Sequence, residues 1–373
     1  MNKIYFPNLN GLRFIAALLV IIHHVEQIKN IFGVKNFWEN STIQVIGKLG
    51  VILFFVLSGF LITYLLLEER RETKTISIKD FYIRRILRIW PLYFLIIILG
   101  FFILPKISFF HLGNLSKLVT VDLAVKFCLF VFFLPNVALA MFSPVPFAAQ
   151  AWSVGIEEQF YLIWPLLMKY IKQKQIFFYI IIIGYIFMNI FGFNFVKTHL
   201  FYDDVIDTVA GIWSGFSIDC MAIGGLFALY LHEKNTAINF LFKNYVQWFT
   251  IILLVILISV GLKIPYVHYE VYAILFGIVI INLAANPKSV LNLENNFFIY
   301  LGKISYGLYM FHPIAIFISI KLLLLLNLNF IGLQYILSIS LAIFISACSY
   351  KYFEKYFIMM KIKYSQILSG DNV

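Results

Sequence analysis

Residues 10–26 read NGLRFIAALLVIIHHVE, an apolar run that contains one arginine and two histidines. A run of this kind is typical of a helix that crosses a membrane, which takes about 20 largely apolar residues. Charged and titratable side chains are costly at bilayer depth, so they usually face a bundle interior or a water-filled path and indicate function. The stretch therefore predicts a membrane protein with a polar site inside it.

The rest of the chain has the composition of a membrane protein. Of its 373 residues, 62% are hydrophobic and 13% are charged, and the mean hydropathy is +0.91. This excludes an ordinary soluble domain, and no linker, repeat or low-complexity tract divides the chain. We predict an all-α polytopic transmembrane helical bundle over residues 1–373, forming one membrane domain without a soluble domain.

Cysteine usage and the first apolar segment add two expectations. Cys128, Cys220 and Cys348 have neither paired nor metal-ligand spacing, so we expect buried packing rather than disulfides, and no metal site. His24, Glu26 and Lys29 follow the first apolar run in place of a small-residue cleavage site. We expect that run to remain as the first span.

Positive charges set the expected topology. They cluster at 68–88, 169–174 and 351–363, and such clusters favour the cytoplasmic side. Ten predicted spans satisfy this constraint: 10–28, 48–67, 88–104, 151–169, 176–193, 211–231, 245–262, 267–285, 304–326 and 331–352. The remaining run, 126–141, contains Pro135 and Asn136, and we predict a re-entrant or broken segment buried in protein. Both termini, including a tail at 358–373, are then cytoplasmic.

Helical spacing places polar side chains of the first span on one face. Arg13 and His24 are separated by three turns plus about 20°, and lie ~16 Å apart along the axis. Ala17 and Val20 lie between them and leave room for a ligand, whereas His23 points roughly 100° away. The alternatives are an interfacial anchor for Arg13 and a hydrogen-bonded core histidine for His24. We favour function for the pair.

Two further stretches show the same pattern. Ser153, Glu157 and Tyr161 share a helical face, and we expect one of Glu157 and Glu158 to lie in a polar interior. Ser305, Tyr309 and His312 also share a face. By default a tyrosine here belongs to an aromatic belt and the histidine, before Pro313, to a bend, but together the three faces predict a polar cavity within the bundle.

The motifs resemble those of the acyltransferase 3 family, bacterial integral membrane O-acyltransferases that modify cell-envelope and secreted glycans. The resemblance covers about residues 7–357 and rests on these stretches: NGLRFIAALLVIIHH (10–24), FFVLSGFLI (54–62), RRILRIWPLY (84–93), AWSVGIEEQFYLIWP (151–165), SIDCMAIGGLFAL (217–229), GKISYGLYMFH (302–312) and SYKYFEKYF (349–357). It implies that His24 is the catalytic histidine, with Arg13 and Glu157 beside it in the catalytic set. The motif positions Ser58, Gly59, Arg85, Arg88 and Asp219 also correspond. The chain departs from the pattern at Ser217, where relatives often have arginine, and after Glu354, where proline is usual.

The resemblance also implies the reaction. Acetyl-coenzyme A is the expected co-substrate, with no permanently bound cofactor, and a glycan or lipid-linked saccharide is the expected acceptor. Arginines suit phosphate groups, so Arg84, Arg85 and Arg88 are candidates for donor binding. Their alternative is a purely topological role, which is favoured for Arg84. His24 serves as general base or as nucleophile, and Glu157 orients it or binds the acceptor.

The location and the competing classes follow from the same features. We expect a multi-pass protein of the bacterial cytoplasmic membrane. Nucleic acid is not an expected partner, because the net charge of +11 follows membrane topology. A transporter or flippase of a glycan or lipid-linked saccharide is the alternative function. A transporter should show paired broken helices in two halves, and the sequence shows no such symmetry.

Overall fold

The computed structural model describes residues 3–112, 121–192, 203–365 and 367–369, and almost all of their regular structure is helical. The helices of the first half are α1 (Leu9–Ile31), α2 (Ser41–Thr73), α3 (Ile78–Ile98), α4 (Leu123–Val131), α5 (Pro135–Met141), α6 (Ala151–Tyr170) and α7 (Lys174–Phe187). Those of the second half are α8 (Asp203–Phe216), α9 (Ile218–His232), α10 (Ala237–Leu241), α11 (Asn244–Val260), α12 (His268–Ala285), α13 (Asn296–Lys303), α14 (Ser305–Leu325), α15 (Ile331–Ser349) and α16 (Lys355–Lys361). Two short strands, β1 (Lys3–Ile4) and β2 (Leu368–Ser369), pair in parallel.

The helices confirm an all-helical membrane bundle. In the described ranges, eight helical stretches are long and apolar enough to span a bilayer: Leu9–Ile31, Ser41–Thr73, Ile78–Lys106, Lys174–Gly192, Thr208–His232, His268–Ala285, Ser305–Leu325 and Ile331–Tyr364. The other two predicted spans also coincide with helices. However, α6 is less apolar and α11 has only 17 residues. The number of crossings therefore stays a prediction, and residue 193 and tail residues 366 and 370–373 lie outside the described residues.

The run at 126–141 is a broken segment, as predicted. Helices α4 and α5 are separated at residues 132–134, where Phe133 has a φ of 58°. The Phe133 ring stacks on Tyr93 with ring centres 4.7 Å apart, and its carbonyl oxygen accepts a hydrogen bond of 2.7 Å from Gln159 Nε2 on α6. A polar backbone group freed by a helix break at membrane depth needs such a partner. Protein groups therefore satisfy the Phe133 carbonyl at the break, while the neighbouring Phe132 side chain is 74% exposed.

The two helices at the centre of the bundle, α2 and α9, are in backbone contact. A Cβ atom added to Gly59 would lie 1.9 Å from the Met221 carbonyl oxygen, and one added to Gly224 would lie 2.1 Å from the Val56 carbonyl oxygen. Small residues at helix interfaces allow this approach in membranes, where van der Waals packing replaces the hydrophobic driving force. The motif glycine Gly59 therefore has a packing role.

The three basic clusters meet at one end of the bundle, which we call the basic end. Lys169 Nζ donates to the Ile76 carbonyl oxygen at 3.1 Å, and Arg84 Nη1 donates to that of Tyr364 at 2.7 Å. The β1–β2 pair brings the two ends of the described chain together as well. At the opposite end, the Ser41 hydroxyl donates to the Val260 carbonyl oxygen. The predicted grouping of the clusters is confirmed, whereas the side of the membrane stays a prediction.

Candidate active site

A cavity of about 210 Å³ collects most of the predicted site residues. We call it the basic cavity. It lies between α1, α2, α3, α6, α13, α14 and α16, helices that are distant in sequence. The predicted residues that line it are Arg13, Ser58, Arg85, Arg88, Ser153, Glu157, Tyr161, Ser305 and Tyr309. Members of the three polar helix faces therefore meet inside the bundle, whereas His24 and His312 do not line this cavity.

Two lysines that sequence reasoning did not assign to the site also line the basic cavity. They are Lys303, at the end of α13, and Lys361, at the end of α16. Lys361 is only 8% exposed, and within the described ranges its ammonium group has no hydrogen-bond or ion-pair partner. In the sequence this lysine is simply one charge of a topological cluster, and only the packing of α16 on α3 brings it to the site.

Charge in the basic cavity is strongly unbalanced. Its lining holds five basic side chains, Arg13, Arg85, Arg88, Lys303 and Lys361, and a single carboxylate, Glu157. Burying a cation without a compensating anion costs several kcal/mol. The lining is therefore suited to a ligand that carries several negative charges.

The carboxylate of Glu157 is held by hydroxyl groups rather than by a cation. The Ser58 hydroxyl donates to Oε1 at 3.0 Å, and the Tyr161 hydroxyl lies 3.0 Å from Oε2 and 3.1 Å from Ser58 Oγ. The neighbouring Glu158 instead accepts a 2.8 Å hydrogen bond from Trp90 Nε1 and does not line the cavity. Of the two glutamates, Glu157 is thus the one that faces the polar interior.

The arginines of α3 differ in their surroundings. The guanidinium of Arg85 lies over the rings of Phe81 and Tyr161, 5.4 Å and 5.7 Å from their centres, and its buried Nε has no hydrogen-bond acceptor. Arg84 lies outside the basic cavity, where it forms a 3.0 Å ion pair with Glu69. This placement favours the structural alternative for Arg84, whose donor-binding role stays a prediction.

The part of the cavity wall nearest the predicted catalytic histidine is built by α6 and α14. Ser153 Oγ lies 2.6 Å from the Tyr309 hydroxyl, which donates to the Gln150 carbonyl oxygen at 3.0 Å. The ring centre of Tyr309 is 5.8 Å from that of His312. Tyr309 therefore separates the basic cavity from the histidines behind it.

His24 and His312 form a pair although 288 positions separate them (312 − 24). Their ring centres are 4.7 Å apart. His24 Nδ1 lies 2.8 Å from the Val20 carbonyl oxygen, and His312 Nδ1 lies 2.7 Å from that of Tyr309. Because a carbonyl oxygen only accepts, each Nδ1 carries the proton in the neutral ring and each Nε2 keeps a lone pair.

The structure differs from the expected course of a ligand along α1. The basic cavity touches α1 at Leu9, Asn10 and Arg13 but not beyond. Ala17 and Val20 are 0% and 1% exposed. Val20 packs on α2, since a Cβ added to Gly50 would lie 2.8 Å from Val20 Cγ2, whereas Ala17 is buried in a cluster with residues of α14 and α15. The small residues that were expected to leave space are instead buried by neighbouring helices, and His24 is not among the residues that line the basic cavity.

Asp219, the remaining predicted site residue, is not part of the basic cavity. It lies at the beginning of α9 and lines a second cavity together with Glu270. The other end of α9 lies at the basic end, since His232 Nε2 is 3.3 Å from Glu68 Oε2. The second cavity is therefore in the opposite half of the bundle.

Comparison with known proteins gives a family and several relatives. The Acyl_transf_3 family model, described as an acyltransferase domain, matches residues 6–351. The peptidoglycan O-acetyltransferase OatA of Listeria monocytogenes is 32% identical over 190 residues, which are 48% of this chain and 28% of that protein. The protein named "Putative peptidoglycan O-acetyltransferase YrhL" of Bacillus subtilis is 35% identical over 167 residues, 43% of this chain and 23% of that protein. The matched region thus spans about a quarter of these relatives' length, and no solved structure matches the chain.

Proposed function

The chain belongs to the acyltransferase 3 family, and from this premise we propose that it is a membrane O-acyltransferase that transfers an acetyl group from acetyl-coenzyme A to a hydroxyl group of a cell-envelope glycan. The names of the relatives in Listeria monocytogenes and Bacillus subtilis support the acetyl group and the glycan. The positive-inside rule supports the cytoplasmic membrane of a bacterium with the basic end inside. Donor and acceptor then meet within the bundle.

The charge of the basic cavity is the observation that supports acetyl-coenzyme A as the donor. Coenzyme A presents phosphate groups, and arginine and lysine bind such oxyanions through charge-assisted hydrogen bonds. Five basic side chains with one carboxylate are suited to this nucleotide end. The buried ammonium of Lys361, which has no partner among the described residues, would gain a counter-ion from a phosphate group.

The Nε2 atom of His24 supplies the chemistry in this proposal. As a general base it takes the proton of the acceptor hydroxyl while the oxygen attacks the thioester carbonyl carbon. The carbon–sulfur bond then breaks, and the leaving thiolate receives the proton from the imidazolium. In the alternative route Nε2 first takes the acetyl group itself and then passes it to the hydroxyl. Trapping an acetylated protein with acetyl-coenzyme A alone distinguishes the two routes.

The hydrogen-bonded group of Glu157, Ser58 and Tyr161 positions side chains around the donor site. Because Ser58 and Tyr161 both hydrogen-bond to Glu157, the carboxylate is fixed in the wall of the basic cavity, where its charge also interacts with Arg85 and Arg88. There it lies among groups that interact with the donor, and it balances part of the cationic charge when no donor is bound. We assign it to shaping the donor site rather than to orienting His24, whose Nδ1 already has its partner in Val20.

The experiment that tests the proposal uses the purified protein in lipid nanodiscs with radiolabelled acetyl-coenzyme A. We expect label transfer to a peptidoglycan fragment and release of free coenzyme A. Arg85→Gln combined with Arg88→Gln should weaken donor binding at least ~10-fold, since each charged hydrogen bond is worth about 1.5–3 kcal/mol. Arg70→Gln combined with Arg71→Gln, from the same basic segment but outside the cavity, is the matched control.

Two outcomes would contradict the proposal. Unchanged donor binding in the folded Arg85/Arg88 variant would return both residues to a topological role. Movement of a saccharide across the membrane without cleavage of acetyl-coenzyme A would instead identify a transporter or flippase.

A further inference from the structure

The second cavity, which we call the acidic cavity, has a volume of about 450 Å³, within the usual size of small-molecule sites. It is lined by α7, α8, α9 and α12, and by the residues before α12. The side chains that matter here are Asn189, Ser214, Asp219, Tyr266, Tyr269 and Glu270. None of them belongs to the basic cavity.

Asp219 gives the first sign that this cavity holds a ligand. The side chain is only 1% exposed, and its carboxyl group is hydrogen-bonded to that of Glu270. Its buried Oδ1 nevertheless has no N–H or O–H donor in the part of the chain that the structure describes. Glu270, only 4% exposed, lines the same space. Buried polar atoms are almost always hydrogen-bonded, and each exception needs an explanation. A ligand that donates hydrogen bonds into the cavity provides one.

The other lining groups restrict the kind of ligand. Tyr266 and Tyr269 present aromatic rings beside the carboxylates. Asn189 carries an amide that lies 3.5 Å from Glu270 Oε1, and Ser214 adds a hydroxyl. Acceptors, donors and flat apolar surfaces thus occur together. A sugar ring offers hydroxyl groups that both donate and accept, and C–H faces that pack on aromatic rings.

A nearby cation argues against a positively charged ligand. The ammonium of Lys48 lies 5.4 Å from the ring centre of Tyr269 and 3.4 Å from the Gly215 carbonyl oxygen, which it contacts as donor. It therefore approaches the wall of the acidic cavity from the side of α2. Two carboxyl groups next to one ammonium group suit an uncharged, hydroxyl-rich ring better than an amine or an acid.

Lys48 also connects this cavity with the reaction centre. Its ammonium lies 4.1 Å from the ring centre of Trp152, and Trp152 directly precedes Ser153 of the basic cavity. Gly47, the residue before Lys48, packs on His23, since a Cβ added to Gly47 would lie 2.4 Å from the His23 imidazole. A short stretch of α2 thus separates the acidic cavity from both the basic cavity and the histidines.

We propose that the acidic cavity is the acceptor site and binds an uncharged saccharide ring through Asp219 and Glu270. The assignment of this saccharide as the acceptor rests on the proposed function. Saccharide binding itself is measurable without any donor. The two cavities then take ligands of opposite character, a polyanion at the basic end and a neutral glycan in the opposite half. Asp219 and Glu270 are binding residues in this proposal and take no part in the chemical step.

The test measures binding of the neutral disaccharide N,N′-diacetylchitobiose to the full-length protein in nanodiscs, without acetyl-coenzyme A. Asp219→Asn and Glu270→Gln should each weaken this binding about 10-fold, because each change removes a charged acceptor from a ligand hydroxyl group. The Arg85/Arg88 double variant should bind the disaccharide normally. Acetyl-coenzyme A binding should be unchanged in the Asp219 and Glu270 variants.

A rim variant keeps the test decisive if the buried variants do not fold. Tyr266 is 58% exposed and its replacement by alanine removes one aromatic face, whereas Tyr245, 60% exposed and outside the cavity, is the matched control. We expect weaker disaccharide binding for Tyr266→Ala only.

Three results would overturn the inference. They are no disaccharide binding by the wild-type protein, unchanged binding in the folded variants, and tighter binding of the diamine chitobiose or of cellobiouronic acid. A failure of acetyl-coenzyme A to bind would contradict the proposed donor. It would not affect the measured disaccharide binding, which uses no donor.

Discussion

At the residue scale, the histidines show how one side chain is selected from a chemically identical neighbour. His23 and His24 are adjacent, but only His24 faces His312 at 4.7 Å. His23 Nδ1 contacts the Ile43 carbonyl oxygen at 2.7 Å, and its ring lies 5.0 Å from that of Trp38. The two histidines therefore have the same chemistry on different faces of α1, which makes each a control for the other.

The first prediction concerns this pair. His24→Ala should lower acyl transfer at least ~10²-fold, because general-base or nucleophilic assistance is worth that much or more. His23→Ala should retain most of the activity. The measurement is label transfer from acetyl-coenzyme A to glycan in membranes, normalised to folded protein. Equal losses in both variants would remove the catalytic assignment of His24.

The second prediction concerns Lys361, which is buried among cations. Lys361→Met should weaken acetyl-coenzyme A binding, because a phosphate loses one partner. It should not lower the melting temperature of the ligand-free protein, because an unpaired buried ammonium costs free energy that methionine avoids. Lys355→Met, at an exposed position of the same helix, controls for the loss of charge. Destabilisation without any change in donor affinity would indicate that Lys361 is only structural.

At the element scale, the helices were largely predictable and their neighbours were not. Each of the ten spans predicted from apolar length coincides with a helix, and Pro135 with Asn136 located the break between α4 and α5. The site was predictable only where one helix carries several members, as α6 does with Ser153, Glu157 and Tyr161. The approach of His312 to His24, and of Lys361 to Arg85, depends on which helices pack together. Periodicity along one helix does not contain that information, and this is also why Ala17 and Val20 were wrongly expected to border open space.

The third prediction concerns the contact between α2 and α9. Gly59→Ala gains up to about 1 kcal/mol of helix propensity, but its Cβ would lie 1.9 Å from the Met221 carbonyl oxygen. Overpacking of this kind costs about 1–3 kcal/mol, so we expect a net loss of stability. Gly184→Ala on α7, where nothing lies within 4 Å, should be neutral or slightly stabilising. Melting temperatures in detergent, read by fluorescence-detected size-exclusion chromatography, compare the two. A more stable Gly59→Ala variant would show that the helices are less closely packed.

At the scale of the whole molecule, charge divides the bundle into two halves. The three basic clusters and the basic cavity lie at one end, and the acidic cavity lies in the opposite half. The sequence predicted the grouping of the basic clusters, because local clusters of lysine and arginine determine membrane topology. It did not predict the acidic cavity, because Asp219 and Glu270 belong to different helices. Under the proposed function, donor and acceptor would approach His24 from opposite faces of one membrane.

The last prediction tests this orientation through single cysteines in a variant that lacks Cys128, Cys220 and Cys348. A cysteine at Lys35 should react with a membrane-impermeant maleimide in intact cells, because it follows α1 at the end opposite the basic clusters. Cysteines at Lys74 and Lys172 should react only after permeabilisation, since both lie in basic clusters of the same end and all three lysines are exposed. Lys172 gives the sharpest result, because the segment 126–141 precedes it. Labelling at 172 from outside, with 74 protected, would mean that this segment crosses the membrane, whereas labelling at 74 and 172 but not at 35 would invert the protein and place the basic cavity out of reach of a cytosolic donor.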